Sequence, residues 1–111
     1  MLTFNLKKEW FEKIKSGEKT HEYREFKDYW LVRIQNWFDL FDDEIGKMLN
    51  GHTYEISIPI AFRCGYKGEI LEAVTKSITI INGLHTDLNI NKPVFDIEFE
   101  LIDEVQNDNK L

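Results

Sequence analysis

The feature that most constrains the fold is a strict alternation of apolar and acidic residues near the C-terminal end of the chain. Successive side chains of a β-strand point to opposite faces of a sheet, so an alternating run buries one face and exposes the other. The segment 95–101 therefore predicts a strand with a core on one side. Its apolar and acidic members are Phe95, Ile97, Phe99 and Leu101 against Asp96, Glu98 and Glu100.

Two further segments predict strands that belong to the same sheet. Apolar residues occupy the even positions from 54 to 62, and Pro59 among the other positions places this strand at a sheet edge or bulge, since proline has no N–H to pair. A β-branched stretch over 70–81 predicts one long or bent strand that ends at the turn Asn82-Gly83.

The first half of the chain has the period of helices. The apolar residues between positions 6 and 14 are spaced as one helix face, which predicts a helix over about Leu6 to Ser16, with Asn5 as its N-cap and Gly17 as its stop. From Asp28 to Leu49 the helical period returns, as one helix or as two helices broken near Asp42-Asp43.

Helices early in the chain and strands late predict an α+β domain. Four or five short strands around an aromatic core can close into a small barrel, although the period alone does not prove closure. A chain of 111 residues has room for one core. We therefore predict a single domain over 1–104 and a flexible polar tail over 105–111.

Charge limits the classes of partner. The formal net charge is -6, from 20 acidic and 14 basic residues, so the protein as a whole repels a polyanion. Tight nonspecific binding to duplex nucleic acid is excluded on this ground. Contact with a nucleic acid has to come from a local group of Lys and Arg in a cleft, and the ligand is then a short strand or a single nucleotide.

Few residues suit metal or disulfide chemistry. Cys64 is the single cysteine, so no intrachain disulfide forms, and the three histidines lack metal-ligand spacing. We predict neither a metal site nor a cofactor. No apolar run approaches about 18 residues and Met1 does not lead into a signal-like apolar stretch, so we expect a cytoplasmic protein without a membrane segment.

The densest group of charged residues follows the first predicted helix, at 17–24. This segment has no helical period and reads as extended, which places Glu22 and Arg24 side by side on one face and His21 on the other. The form Gly-x-Lys-x-x-Glu-x-Arg, after a helix that contains Trp10-Phe11, resembles the signature of the ASCH domain family. The residues that carry this resemblance are Gly17, Lys19, Glu22 and Arg24.

The resemblance extends to other parts of the chain. The segment Phe62-Arg63-Cys64-Gly65-Tyr66 and the pair Tyr29-Trp30 are similar to those of small ASCH proteins common in phages and bacteria. The resemblance implies a PUA-like β-barrel of about five strands with flanking helices, and a cleft that binds RNA, a nucleotide or a nucleoside. The residue types suit this role, because Arg24 can hold a phosphate or stack on a base and Glu22 can accept from base amino groups.

The predicted ligand-binding set is wider than the motif itself. Its added members supply charge, stacking surface or a hydroxyl beside the motif. The complete set is Lys19, Thr20, Glu22, Arg24, Trp30, Arg63, Tyr66 and Lys67.

Three alternatives stay open. Glu22 and Arg24 can be a surface ion pair that contributes about 0–1 kcal/mol and has no role in function. The second alternative is an enzyme, because one ASCH branch consists of amidohydrolases that act on N4-acylated cytidines. Lys19 matches the catalytic Lys of that branch, but Glu22 stands where the branch has Thr. A carboxylate at this position favours the charged ammonium form of Lys19, which is not nucleophilic. Catalysis would then rest on Lys19 and Glu22, with Glu69 or Glu72 as a later acid. The third alternative is a protein partner bound through the acidic surface.

Overall fold

The structure is an α+β fold built on one five-stranded sheet with three helices, which confirms the predicted class. The computed structural model describes residues 1–102; the predicted flexible tail, 105–111, lies outside the described residues. The elements in chain order are β1 (Thr3–Leu6), α1 (Lys8–Lys15), β2 (His21–Glu25), α2 (Asp28–Phe38), α3 (Asp42–Leu49), β3 (Pro59–Cys64), β4 (Ile70–Asn82), a 3-10 turn (Gly83–His85) and β5 (Pro93–Leu101).

The sheet is mixed and has the order β1-β3-β4-β5-β2. β1 pairs with β3 in parallel, and the other neighbours are antiparallel. β4 is long because it pairs with β3 through its first half and with β5 through most of its length, with a shift of register between Thr75 and Ser77. The predicted long or bent strand at 70–81 is thus confirmed, as is the strand at 95–101.

The core lies between one face of the sheet and the three helices. Alternate residues of β5, from Phe95 to Phe99, are buried there, as the apolar and acidic alternation predicts. Phe11 and Ile14 of α1 and Ile34 of α2 are also almost completely buried. The fold therefore follows from one apolar face on each element.

The predicted start of the first helix is wrong. Leu6 belongs to β1, and α1 begins at Lys8, with Lys7 as an N-cap that makes no side-chain cap hydrogen bond. Leu6 and Trp10 have helical spacing, but Leu6 is also the last of three alternate buried residues, Leu2, Phe4 and Leu6, as in a strand. Gly17, at φ +85°, ends the first helix region as predicted, in a conformation that glycine adopts at little cost.

The predicted edge position of the Pro59 strand is also wrong. β3 lies inside the sheet, between β1 and β4. Proline is tolerated because it is the first residue of the strand, and the pairing with β1 begins two residues later, at Ala61. The upstream part of the predicted strand is irregular, with Tyr54 forming an isolated bridge to Ile78.

The second helical region consists of two helices. The break lies at 39–41, just before the predicted position, because Asp39 adopts a left-handed conformation that ends α2. Phe41 precedes α3, and its N–H donates to the Glu44 side chain at 2.8 Å. Although the spacing predicts Phe41 on the buried face, it is exposed.

Closure of the sheet is not observed within residues 1–102. β1 and β2 are the two ends of the strand order, and no strand pairing joins them. They are nevertheless close, because Arg24 Nη2 on β2 lies 3.4 Å from the Asn5 carbonyl oxygen on β1. Lys19, Glu22 and Arg24 of the 17–24 segment line the gap between these two ends.

The helices of the described chain are short or polar. None within residues 1–102 has both the length and the apolar composition that a bilayer-spanning helix requires.

Candidate functional site

A cavity of about 440 Å³ opens between the two end strands of the sheet. β1 and the start of α1 form one wall, β2 and the start of α2 form the other, and the segment after the 3-10 turn covers one end. The lining residues are Asn5, Leu6, Lys7, Trp10, Lys19, Glu22, Tyr23, Arg24, Glu25, Lys27, Trp30, Asp87, Leu88 and Ile90.

Both walls present backbone groups that the sheet does not use. The Phe99 N–H of β5 donates to the Thr20 carbonyl, and the Phe26 N–H donates to the Pro93 carbonyl of β5. The even-numbered residues of β2 therefore pair with β5, and the peptide groups of Tyr23 face away from it. On the other wall, the Leu2 and Leu6 carbonyls accept from the N–H groups of Ala61 and Gly65, so the peptide groups of Asn5 point away from β3. Peptide donors and acceptors are thereby available to a ligand in the gap.

Glu22 is the buried centre of the site. It is only 3% exposed, and its Oε2 accepts hydrogen bonds from Arg24 Nε at 2.8 Å and Nη2 at 2.6 Å. Its Oε1 lies 3.6 Å from Lys19 Nζ. A carboxylate this far from water requires such charged partners. The pair is therefore not an exposed surface ion pair.

Lys19 joins the motif to a distant part of the chain. Its ammonium donates to the carboxylate of Asp87, in the segment that follows the 3-10 turn. It also lies 4.9 Å from the centre of the Tyr23 ring and 5.7 Å from that of Trp10, distances at which a cation is attracted to an aromatic face. Lys19 is thus held between two carboxylates and two rings.

Arg24 is supported from below by two aromatic rings. Its guanidinium carbon lies 4.7 Å from the centre of Trp30 and 5.1 Å from that of Phe4, and these two rings stack on each other at 5.5 Å. Its Nη2 also approaches the Asn5 carbonyl. The guanidinium plane is therefore fixed, which makes its remaining N–H groups available in a defined direction.

The Tyr23 phenol is perturbed by its surroundings. Burial raises the pKa of Tyr23 above its ordinary value of 10.0, and the negative charges of Asp96, Asp87 and Glu22 act in the same direction. The hydroxyl at the cavity therefore remains a protonated donor throughout the physiological range.

The cavity differs in charge from the rest of the protein. Four basic and three acidic side chains line it, whereas the whole chain has a net charge of -6. Lys7 and Lys27, which precede α1 and α2, are exposed basic residues at opposite walls and make no side-chain cap bond. They add exposed positive charge to the lining, which favours an anionic ligand.

Four of the predicted ligand-binding residues line this cavity: Lys19, Glu22, Arg24 and Trp30. Thr20 is exposed and lines a shallower depression next to Lys19. Tyr66 lines an adjoining cavity together with Arg24 and Trp30. Arg63 and Lys67 line neither of these cavities.

Of the residues considered with Lys19 for catalysis, Glu22 lies next to it, whereas Glu69 and Glu72 lie elsewhere. His21 Nδ1 lies 2.6 Å from Asp96 Oδ1, on the opposite face of β2 from Glu22. Glu69 accepts from Lys15 at 3.0 Å on the surface, and Glu72 is exposed on β4. The acid that contacts Lys19 from a later segment is Asp87 instead. Among residues 1–102, no group of three or more His, Cys, Asp or Glu is arranged to hold a metal ion.

Asp87 and Trp10 are among the lining residues that were not predicted. Asp87 is 68 positions from Lys19, and no local period connects them. Trp10 was assigned to the core because it lies on the apolar face of α1; it is partly buried and its ring also faces the cavity. In the structure, Lys13 Nζ also lies 4.8 Å from the centre of the Trp10 ring.

Comparison with known proteins does not extend this picture. No family model, no curated protein and no solved structure matches the chain.

Proposed function

We propose that the protein is a binding module of the ASCH type, with a PUA-like curled sheet, which recognises RNA or a single nucleotide in the cavity between β1 and β2. The observation that carries the proposal is the buried Glu22, held by Lys19 and Arg24 at the base of that cavity. A charged group is costly to bury, so its presence at the base of an open cavity is better explained by a ligand than by stability.

The chemistry of the lining suits a nucleotide. Peptide groups of Asn5 and Tyr23 can pair with the edge of a base, as recognition of unpaired RNA bases requires. Trp10 and Trp30 supply aromatic surface in the lining, and Arg24 supplies oriented donors for a phosphate or a carbonyl. A volume of about 440 Å³ lies within the usual range for small-molecule sites.

The same features argue against a duplex as ligand. The basic side chains are confined to a cavity on an acidic protein, and a duplex would approach the acidic surface as well. A single nucleotide, or a short unpaired strand with one nucleotide inserted, satisfies the charges without that repulsion.

The proposal is tested by titrating the protein with the four ribonucleoside monophosphates, a short single-stranded RNA and N4-acetylcytidine, followed by NMR and calorimetry. We expect saturable shifts of the indole signals of Trp10 and Trp30 with at least one nucleotide. Lys27→Ala removes an exposed cavity charge without disturbing the buried ion pairs and should weaken binding about fivefold, which corresponds to about 1 kcal/mol. Lys47→Ala, an exposed lysine of α3 outside the cavity, is the matched control and should bind as the wild type does.

Two outcomes contradict the proposal. If no compound in the panel shifts the cavity signals, the site does not bind nucleotides. If acetate is released from N4-acetylcytidine and this release is lost in Lys19→Ala with the fold retained, the protein is an amidohydrolase rather than a binding module.

A further inference from the structure

A second cavity, of about 510 Å³, adjoins the one described above. The two share Asn5, Arg24 and Trp30 in their linings, so the Arg24 guanidinium and the Trp30 ring form the wall between them. A ligand long enough to reach past Arg24 and Trp30 would therefore contact both cavities.

The two cavities differ in charge. Among residues 1–102, no acidic side chain lines the second cavity, and Arg24 and Arg33 are both in its lining. The first cavity has three carboxylates among its lining residues. Arg24 is paired with Glu22, which does not line this cavity, whereas Arg33 is exposed, so the second cavity has a positive charge that is complementary to a phosphodiester backbone.

Tyr66 is displayed at the edge of the second cavity by a constrained turn. Gly65 has φ +69°, and a Cβ on Gly68 would lie 2.2 Å from the Cys64 carbonyl oxygen, so both positions require glycine. Arg63 Nη1 lies 3.5 Å from the Tyr66 carbonyl oxygen. The turn is thus held in one shape, and the Tyr66 side chain at its tip is 82% exposed.

A second exposed aromatic residue faces the same cavity from α2. Tyr29 is 53% exposed, and the Arg33 guanidinium carbon lies 3.5 Å from the centre of its ring. Arg33 Nη1 also donates to the Tyr29 carbonyl at 2.8 Å. Tyr29 in turn packs edge-on against Trp30 at 5.0 Å. Exposed rings beside arginines form the kind of surface on which unpaired bases stack.

We infer that the two cavities form one path for a single-stranded oligonucleotide. One nucleotide occupies the first cavity, the linking phosphate lies against Arg24, and the neighbouring base stacks on Tyr66, the more exposed of the two tyrosines, in the second cavity. This inference rests on the proposed function and specifies its ligand as a strand of two or more nucleotides. The shared chemistry is a phosphodiester-linked base, which RNA and DNA both supply.

The experiment compares affinities for a mononucleotide, the dinucleotide that contains it and a hexanucleotide, each as RNA and as DNA. We expect the dinucleotide to bind about tenfold more tightly than the mononucleotide, the gain that one additional stacked base provides. Tyr66→Ala should abolish this gain, so that its affinities for the two ligands become equal. Phe41→Ala is the matched control, because Phe41 is also an exposed aromatic residue, at 67%, but lies outside both cavities.

The outcomes separate this inference from the proposed function. If the mononucleotide binds but lengthening it brings no gain, or if Tyr66→Ala retains the gain, the second cavity is not a subsite and the inference is overturned alone. If neither ligand binds, both the inference and the proposed function fail. A gain with RNA only, or with both nucleic acids, supports the inference and identifies which strand the site accepts.

Discussion

Replacement of Arg24 by Ala should destabilise the protein strongly, because it leaves the Glu22 carboxylate buried without its closest partner. Removing one member of a buried ion pair typically costs about 3–5 kcal/mol. Lys19 Nζ remains 3.6 Å from the other carboxylate oxygen, and Arg24 itself is 19% exposed, so we expect the lower end of that range, about 3 kcal/mol. For a domain of this size the loss corresponds to a decrease in Tm of roughly 12 °C.

The measurement is urea unfolding followed by tryptophan fluorescence, for which the chain has three tryptophans. The double variant Arg24→Ala with Glu22→Gln removes the buried charge together with its partner and should recover at least half of the loss. Lys13→Ala breaks the exposed pair with Glu18, whose atoms are 3.7 Å apart, and should change the free energy of unfolding by about 0–1 kcal/mol.

Two results would refute this reasoning. One is a cost for Arg24→Ala no larger than that of Lys13→Ala, which would mean that Glu22 is solvated in solution. The other is strict additivity of the Glu22 and Arg24 substitutions, which would mean that the two residues do not depend on each other.

Two further predictions concern the turn and the tyrosine. Gly68→Ala should lower the free energy of unfolding by about 2 kcal/mol, because the new methyl would collide with the Cys64 carbonyl. Gly46→Ala on α3, where a new methyl meets nothing within 4 Å, should raise the free energy of unfolding by about 0.5–1 kcal/mol. Urea unfolding of both variants tests this prediction, and equal effects of the two substitutions would contradict it. The raised pKa of Tyr23 means that stability is fully present below pH 10, the ordinary pKa, and decreases as the pH rises toward the folded-state pKa. Absorbance titration should show a late phenolate component in the wild type that Tyr23→Phe lacks, and its persistence in the variant would refute the assignment.

The sequence predicted those parts of the fold in which a single period runs without interruption. The strand at 95–101, the long strand at 70–81 and the helices after Asp28 were all found, because burial of one face imposes a period of two or 3.6 on the residues themselves. The extended segment with Glu22 and Arg24 on one face was found for the same reason. The β1 strand was missed because its buried residues continue into the helix that follows, where both periods fit Leu6.

Some residues of the candidate site could be predicted from the sequence and others could not. Lys19, Glu22 and Arg24 belong to one segment and could be identified together from the chain. Asp87 could not, because its contact with Lys19 depends on how the segment after β4 returns over the cavity, a matter of long-range packing.

The sequence by itself determined the α+β class, the identity of most strands and helices, and the group of charges around Glu22. Only the tertiary structure decided that β1 and β2 become the two ends of one sheet and face each other across a cavity. The physical reason is that the period of the apolar residues in a segment shows which face of that helix or strand is buried. Strand order and the burial of Glu22 depend instead on the other segments packed around them.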